Sequence, residues 1–406
     1  MPEAAREARE HPMRRVAIAG VGMTDVGVFL DALPQELAVQ AITGAIEDSG
    51  LDRRDIEAML TTPVGYLFDN TKFAVQRMAE CLEIPTRSMA EVDCGGASSL
   101  VALRHVAAEI QTGRIEAGLV YSTHWEMTAG QMEAQHAEAQ HLVRAANAMY
   151  GSYDSRFGVL SPMAYYAMCV QRYMLECGVT AEQIAALPVV LRENASRNPR
   201  AMFREPITTG DVLSSRMLCP PIHLLESCPV SHGAAAVVLV SEEKAARACG
   251  RPVMLTGYGE AHHDSNFMPN AGDMSRFPAV ERSAAEAYRS AGVKPSDIDV
   301  AEVYGAFAGA ELMTYEELGF FERGEAPAAV VEGRTRPDGD VAINTSGGRL
   351  SLGHAPFATP LFEVFEVVTQ LRGRAGDRQV RDAKTGLVQA EHGVVNGSVV
   401  LILEAA

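Results

Sequence analysis

Hydrophobic residues recur along some stretches of the chain with the period of a strand and along others with the period of a helix. This succession predicts strands that alternate with helices. "RRVAIAGVGMT", which begins at Arg14, is a run of small residues typical of a buried strand that ends in a glycine turn. "QELAVQAITGAIEDSG" shows helical spacing and should stop at Gly50. "LSPMAYYAMCVQRYMLECG" predicts an aromatic helix further along the chain. This alternation favours an α/β protein built on a sheet.

Two stretches of the chain share one pattern, which predicts an internal repeat. "AITGAIEDSGLDRRDIEAMLTTPVGY" from Ala41 and "SAAEAYRSAGVKPSDIDVAEVYGAF" from Ser283 both indicate a helix, a glycine stop, a polar turn with Asp-Ile and a strand. Each half then gives a glycine turn, a helical pattern and an apolar strand. We expect "EAGLVYSTH" and "NGSVVLILEA" to be the corresponding strands. The sequence therefore predicts one α/β sandwich unit built twice.

The repeat divides the chain into three parts. Residues 14–125 and 206–250 form the first half, residues 251–406 form the second half, and residues 126–205 form an inserted loop domain over the active site. The insert ends in "RENASRNPRAMFREP", which carries four arginines. This stretch is either a solvated basic loop or a clamp for phosphates in an otherwise acidic protein.

Composition narrows the class of protein. The 406 residues are 47% hydrophobic, which is enough for a large core, and their net charge of −17 argues against binding to nucleic acid. Seven cysteines without CxxC spacing argue against a disulfide framework or a metal site. The polar start of the chain and the lack of a long apolar run lead us to expect a cytoplasmic protein that does not span a membrane.

The stretch "AEVDCGGASSL" places Cys94 where a strand turns into a helix. A helix N-terminus lowers the pKa of a thiol, and its free N–H groups can hold an oxyanion. We therefore expect Cys94 to be a nucleophile, the alternative being a buried thiol in a tight turn. His354 follows a second glycine turn in "INTSGGRLSLGHAPF". A pseudo-twofold axis would join the two loops into a nucleophile–base pair, although a lone histidine can also be purely structural.

Several segments taken together resemble the thiolase superfamily, and in particular the SCP2-type (lipid-transfer) thiolases. They are "VAIAGVGMT", "DCGGASSLVAL", "CPVSHGAAAVVLVSEEKA", "VYGAFAGAELMTYEELG", "NTSGGRLSLGHA" and "HGVVNGSVVLILE". The resemblance implies a five-layer α-β-α-β-α sandwich of two pseudo-symmetric halves, usually dimeric. It also implies a role in lipid metabolism with coenzyme A as substrate or product, and neither a permanently bound cofactor nor a metal.

Family motifs carry roles over to individual residues. Cys94 matches the residue that accepts the acyl group, and His354 matches the histidine that activates it and helps to hold a thioester oxygen. His392 matches a histidine near the C-terminus of SCP2-type enzymes. The family's Asn-Glu-Ala-Phe or His-Asp-Cys-Phe box reads "YGAF", so Ala306 leaves it without a second cysteine.

Proton transfer at the substrate α-carbon must then use another group, and the candidates are Tyr304 and His392. We also expect five residues to contact the substrate: Gly347, Gly348, Gly353, Arg197 and Arg200.

Three functions fit these residues. The first is an acyltransferase that makes or breaks a carbon–carbon bond through an acyl-enzyme on Cys94. The second is a retro-aldolase of the steroid side-chain type, in which Tyr304 is the acid/base group. The third is a non-catalytic protein that binds acyl-CoA or lipid. The resemblance further implies a homodimer and a separate zinc-ribbon/OB-fold (DUF35-type) partner protein.

Overall fold

A computed structural model of the chain describes residues 13–29, 31–65, 74–126, 161–248, 251–263 and 273–406. Within these ranges the strands are β1 Val16–Met23, β2 Ala58–Thr61, β3 Ser88–Glu91, β4 Ala117–His124, β5 Met217–Cys219, β6 Ile222–His223, β7 Gly233–Ser241, β8 Val253–His262, β9 Val300–Val303, β10 Ala342–Ile343, β11 Thr385–His392 and β12 Gly397–Ala405.

The described helices follow the same order. They are α1 Pro34–Ser49, α2 Ala74–Cys81, α3 Ser98–Gln111, α4 Pro162–Cys177, α5 Ala181–Ser196, α6 Thr209–Ser214, α7 Glu242–Ala248, α8 Pro278–Ala291, α9 Ala308–Glu317, α10 Ala326–Val331, α11 Gly348–Ser351 and α12 Thr359–Leu371. No described helix is both long and apolar enough to cross a lipid bilayer.

Ten of these strands form one sheet made of two equivalent halves. Its order is β10-β9-β11-β12-β8-β1-β7-β4-β2-β3, and the halves join where β1 pairs with β8 over three residues. In each half a strand, β7 in the first and β12 in the second, is antiparallel to both of its neighbours, and the three strands furthest from the join run parallel to one another. The carboxyl ends of these parallel strands, where α/β proteins usually bind ligands, therefore carry the loops that follow β3, β9 and β11.

The two halves pack as five layers. On β1, Ile18 faces a core shared with Leu103 of α3 and Phe362 of α12, and strand residues of both halves line that core. Its neighbour Ala17 faces the opposite way, toward Ile42 of α1. On the far side of the second half, α8 packs on β8 and β12. The central helices α3 and α12 are thus enclosed by sheet, and α1 and α8 lie outside, which confirms the α-β-α-β-α sandwich.

The repeat also appears in the structure, with one correction. In both copies a helix ends at a left-handed glycine, Gly50 or Gly292, and a short 3₁₀ turn then leads into β2 or β9. The expected pairing of "EAGLVYSTH" with "NGSVVLILEA" is wrong. By position in the sheet, β4 corresponds to β11, and β12 corresponds to β7. β11 contains Gln389 and Glu391, which are polar but buried, so it does not have the composition of an apolar strand.

Only part of the expected insert lies in the described residues, since residues 127–160 fall outside them. Helices α4 and α5 of this segment pack on α9 and α10 of the second half. Arg192 of α5 is buried, and its guanidinium donates to Ser351 Oγ at 3.1 Å. This arginine is therefore a packing residue. The division of the chain into domains stays a prediction.

Candidate active site

The turn that carries Cys94 is shaped by two glycines. Cys94 follows β3 and precedes a single 3₁₀ turn, Gly95–Ala97, which leads into α3. Gly95 has a φ of +69°, and a Cβ on Gly96 would lie 2.5 Å from the carbonyl oxygen of Glu391. These two residues let the turn approach the end of β11, so the half-buried Cys94 lies beside groups from the second half.

The expected lowering of the Cys94 pKa is wrong. Burial raises the pKa of the Cys94 thiol to about 11, and the carboxylates of Glu260 and Asp93 add to the shift, while a hydrogen bond with Ser98 opposes it. The long helix α3 begins only at Ser98, so Cys94 stands a full 3₁₀ turn before it. At neutral pH Cys94 is a thiol, and its reaction requires removal of a proton.

Tyr304 lies next to the Cys94 turn, and His354 lies next to Tyr304. A Cβ on Gly96 would lie 3.3 Å from Cε2 of Tyr304, which follows the end of β9. The rings of Tyr304 and His354 meet edge to face, with centroids 5.8 Å apart. The structure therefore brings the Cys94 turn, Tyr304 and His354 into one site, as a pseudo-twofold arrangement of the two loops requires.

Arg349 determines how His354 can act. Its Nη1 lies 3.3 Å from Nδ1 of His354, and its guanidinium carbon lies 3.5 Å from the centre of the Tyr304 ring. A guanidinium can only donate hydrogen bonds, so Nδ1 of His354 is the acceptor and the neutral ring carries its proton on Nε2. Burial lowers the pKa of His354 well below its ordinary value, and the charge of Arg349 lowers it further. His354 is thus a neutral donor through Nε2, a form suited to holding a thioester oxygen.

Two buried carboxyl groups support this cluster. Glu363 binds Arg349 in a bidentate pair, with distances of 2.8 and 3.1 Å, and the arginine side chain is 1% exposed. Glu391 accepts a hydrogen bond from the hydroxyl of Tyr166 on α4. Burial raises the pKa of Glu391 to about 8, so this group is mostly protonated at neutral pH.

His392 ends β11 and faces the Cys94 turn. A Cβ on Gly95 would lie 3.1 Å from Cβ of His392. Its Nε2 lies 2.6 Å from Nδ1 of His262, at the end of β8. Burial lowers the pKa of His392 to about 4, and His262 contributes to this shift, so the ring is neutral at physiological pH.

The three glycines that we expected to contact the substrate pack against other residues of the protein. Gly347 lies under Ala195 of α5, where an added Cβ would be 2.6 Å from the alanine Cβ. Gly348 lies against Leu191 and Gly353 against Val26. Their described contacts are thus with protein, and contact with substrate stays a prediction for all three.

Arg197 and Arg200 lie at the end of α5 and in the segment after it. Arg197 lies 3.6 Å from Glu193, and Arg200 lies 3.3 Å from Asp25; Arg197 is exposed and Arg200 is partly exposed. The segment after Arg200 is tied to the loop of His354, since backbone N–H groups of residues 202 and 203 donate to the carbonyls of residues 352 and 351. Binding of substrate phosphates by these arginines stays a prediction.

Sequence reasoning missed four members of the site: Arg349, Glu363, Glu391 and His262. Arg349 stands five residues before His354 in "GGRLSLGH". A charged residue in such a small-residue, apolar stretch could have indicated a buried ion pair. Within the described ranges, no cluster of three or more His, Cys, Asp or Glu side chains has the geometry of a metal site.

Comparison with known proteins shows which enzymes this chain resembles. Residues 259–405 match the family model "Thiolase C-terminal domain-like". The chain is 34% identical to the acetyl-CoA acetyltransferase of Methanothermobacter thermautotrophicus over 376 residues, which cover 92% of this chain and 95% of the relative. It is also 30% identical to the steroid side-chain-cleaving aldolase of Thermomonospora curvata, with 95% of this chain and 97% of the relative covered.

Among solved structures, the Ltp2-ChsH2(DUF35) aldolase superposes with a TM-score of 0.84 at 29% identity and covers 97% of this chain and 98% of its own. The fold is that of enzymes related to thiolases. The chain belongs to the thiolase superfamily. It is also 28% identical to sterol carrier protein 2 of Gallus gallus, with 97% of this chain and 72% of that protein covered, which supports the SCP2-type branch.

Proposed function

We propose that this protein is an acyltransferase for coenzyme A thioesters that carries the acyl group on Cys94. One observation supports it above the others: the half-buried Cys94 shares a site with His354, whose Nε2–H is available as a donor. A nucleophile beside a donor for the carbonyl oxygen is the minimum that acyl transfer requires. The similarity to an acetyl-CoA acetyltransferase over nearly the whole chain supports the same reaction.

The proposed reaction has two steps. In the first, Sγ of Cys94 attacks the thioester carbonyl, the bond to the coenzyme A sulfur breaks, and the thiol proton ends on that sulfur. His354 stabilises the oxyanion through its Nε2–H. In the second, a base removes a proton from the α-carbon of another acyl-CoA, and the resulting carbanion attacks the acyl group on Cys94. The thiolate of Cys94 leaves and regains a proton. The reverse sequence cleaves the same carbon–carbon bond.

Mass spectrometry of the intact protein tests this proposal. Incubation with a panel of acyl-CoA thioesters, starting with acetyl-CoA, should add one acyl mass, and digestion should place it on the Cys94 peptide. Cys81→Ser removes an exposed thiol of α2 and should leave the adduct unchanged, whereas Cys94→Ala should abolish it. An adduct that persists in Cys94→Ala would overturn the proposal.

A retro-aldolase is the second candidate, and the environment of Tyr304 favours it. The guanidinium of Arg349 lies over the face of this ring, where it attracts the π electrons and favours negative charge on the phenol. Two aldolases are among the similar proteins. In this reaction Tyr304 would exchange a proton with a β-hydroxyacyl-CoA, and no acyl-enzyme would form.

Binding of the substrate and of partner proteins completes the proposal. We expect Arg197 and Arg200 to bind coenzyme A phosphates, so replacing both should raise KM and weaken its dependence on salt. Arg53, which also pairs with an acidic residue, is the matched control. The similar solved structure, the Ltp2-ChsH2(DUF35) aldolase, is named with a DUF35 component, which supports a separate partner of that kind for this chain. A homodimer, a cytoplasmic location and a role in lipid metabolism belong to the same proposal.

A further inference from the structure

Three neighbouring strands place His392 and His262 in one row. In the register of the sheet, His392 of β11 is opposite Gly397 of β12, and Gly397 is in turn opposite His262 of β8. A Cβ on Gly397 would lie 1.8 Å from Nε2 of His392. Glycine at this position therefore leaves the space in which two imidazoles from non-adjacent strands meet, with ring centroids 4.7 Å apart.

A chain of hydrogen bonds continues from His392 along β8. Nε2 of His392 is 2.6 Å from Nδ1 of His262, and Nε2 of His262 is 3.0 Å from Oε1 of Glu260. The hydroxyl of Tyr258 donates to the other oxygen of Glu260. Alternate residues of a strand share one face, so Tyr258, Glu260 and His262 follow one another on the same side of β8.

The direction of these bonds fixes the tautomer of His392. Burial of Glu260 raises its pKa, but hydrogen bonds from Tyr258 and His262 outweigh that effect and leave the pKa below its ordinary value. An ionised carboxylate only accepts, so Nε2 of His262 donates to it, and in the neutral form of an imidazole the other ring nitrogen is an acceptor. His392 then donates from Nε2, and its Nδ1 carries a lone pair. Among the described residues, this Nδ1 has no hydrogen-bond partner.

Other charged groups surround the two histidines but do not interrupt the chain of hydrogen bonds from His392 to Tyr258. The guanidinium of Arg104 on α3 lies over the Tyr258 ring at 5.3 Å. From α8, Arg282 donates to the carbonyl oxygen of His262, and Glu286 accepts from the backbone N–H of Glu260. The Cys94 thiol lies close enough to Glu260 for the carboxylate to raise its pKa. His262 itself is exposed to solvent over 49% of its side chain.

We propose that His392 is the base that removes the substrate α-proton, and that His262 and Glu260 are positioning residues. They keep the proton of the resting His392 on Nε2, and His262 accepts that proton once Nδ1 of His392 is protonated. This inference rests on the proposed function. The substrate C–H bond breaks, its electron pair enters the enolate, and its proton goes to Nδ1 of His392. The Nε2 proton of His392 passes to Nδ1 of His262, and the positive charge then lies beside Glu260.

Nuclear magnetic resonance of histidine-labelled protein tests the tautomer without any substrate. In [¹⁵N]histidine protein, both His392 and His262 should carry the proton on Nε2, with His392→Asn and His262→Asn assigning the signals. Glu260→Gln should shift the His392 signals. Glu286→Gln should not, because Glu286 is a neighbouring carboxylate that does not belong to this chain of hydrogen bonds. A wild-type His392 with its proton on Nδ1 would overturn the inference, and so would a His392 signal indifferent to Glu260→Gln.

Hydrogen–deuterium exchange tests the role in catalysis. The probe is the acyl-CoA that loads Cys94, incubated in D₂O, with deuterium on its α-carbon measured by mass spectrometry. Glu260→Gln and His262→Asn should slow exchange by ~10² relative to acylation of Cys94 measured in the same variant, whereas Glu286→Gln should change neither rate. Exchange at wild-type rates in both variants would contradict the inference. Absence of any acylation in wild type would instead refute the proposed function, and the tautomer measurement would still stand.

Discussion

Nδ1 of His354 accepts a hydrogen bond from Nη1 of Arg349 at 3.3 Å, and this contact leaves the Nε2–H of the neutral histidine as its hydrogen-bond donor. The resemblance to thiolases implied two roles for His354: activating Cys94 and holding a thioester oxygen. A neutral ring whose Nδ1 is already bound has only Nε2–H to offer, which favours the second role. The base of the reaction must then come from another residue, and His392, with its neutral ring beside the Cys94 turn, is available for it.

Replacement of Arg349 should separate its effect on stability from its effect on chemistry. Arg349→Met leaves Glu363 buried without a partner, so the free energy of unfolding should fall by about 3–5 kcal/mol. In Arg349→Met/Glu363→Leu an apolar pair replaces the ion pair, and most of that loss should be recovered in urea unfolding. Acylation of Cys94 should stay at least ~10-fold slow in the double variant, because His354 has lost the donor that fixes its tautomer. A double variant that acylates at the wild-type rate would show that Arg349 serves stability alone.

The reactivity of Cys94 should rise steeply with pH. Only the thiolate reacts with iodoacetamide, and burial holds the pKa of this thiol at about 11. The rate of alkylation of the Cys94 peptide should therefore increase about tenfold per pH unit between pH 7 and 10. Mass spectrometry of quenched time points measures it, with the exposed Cys81 as an internal reference. A rate that levels off below pH 8 would mean that a neighbouring group activates the thiol before substrate binds.

Local patterns were sufficient for the elements that depend on short-range signals. Gly50 and Gly292 end helices, and the apolar spacing before them defines the buried face, so both copies of the repeat could be predicted. The strand β11 could not be predicted, because its buried polar residues form hydrogen bonds with partners far along the chain. Gln389 accepts from the backbone N–H of Tyr304, and Glu391 accepts from Tyr166. Such partners become visible only once the sheet is assembled.

The same limit explains the error at Cys94. Its sequence shows a turn into a helix, from which a lowered pKa follows, but the burial that dominates its pKa depends on contacts made across the two halves. Glu391 and His392 of β11 close the turn from the second half. Their approach depends on sheet register, which the sequence of "DCGGASSL" does not contain. Cys94, Tyr304, His354 and His392 could be named from the sequence, whereas their buried charged neighbours and the protonation states of the site could not.

Gly397→Ala should break the contact between the two histidines without touching either of them. An added Cβ would lie 1.8 Å from Nε2 of His392, so the imidazole must move, at a cost to stability of about 1–3 kcal/mol. Exchange of the substrate α-proton should slow, while acylation of Cys94 should continue. In a His392→Ala background the same substitution should have no further effect on exchange, because the ring that it displaces is absent. An equal loss in both backgrounds would place the effect of Gly397→Ala elsewhere in the sheet.

The pair Tyr304→Phe and Cys94→Ala distinguishes the acyltransferase from the retro-aldolase. In the acyltransferase the covalent step belongs to Cys94, and the Tyr304 hydroxyl contributes at most a hydrogen bond to a developing oxyanion. Cys94→Ala should then abolish turnover, while Tyr304→Phe should raise the barrier by about 1–3 kcal/mol, since Arg349 and His354 remain in place. In the retro-aldolase the order reverses, because no acyl-enzyme forms and Tyr304 moves the proton.

Both variants should be assayed for thiolysis of a β-ketoacyl-CoA and for cleavage of a β-hydroxyacyl-CoA. Each removes few atoms, and thermal unfolding can check that both variants remain folded. We expect the first pattern, since a neutral His354 that donates through Nε2 suits a reaction in which Cys94 attacks a thioester. A Cys94→Ala enzyme that still cleaves the β-hydroxy substrate, beside an inactive Tyr304→Phe enzyme, would assign the chain to the aldolases instead.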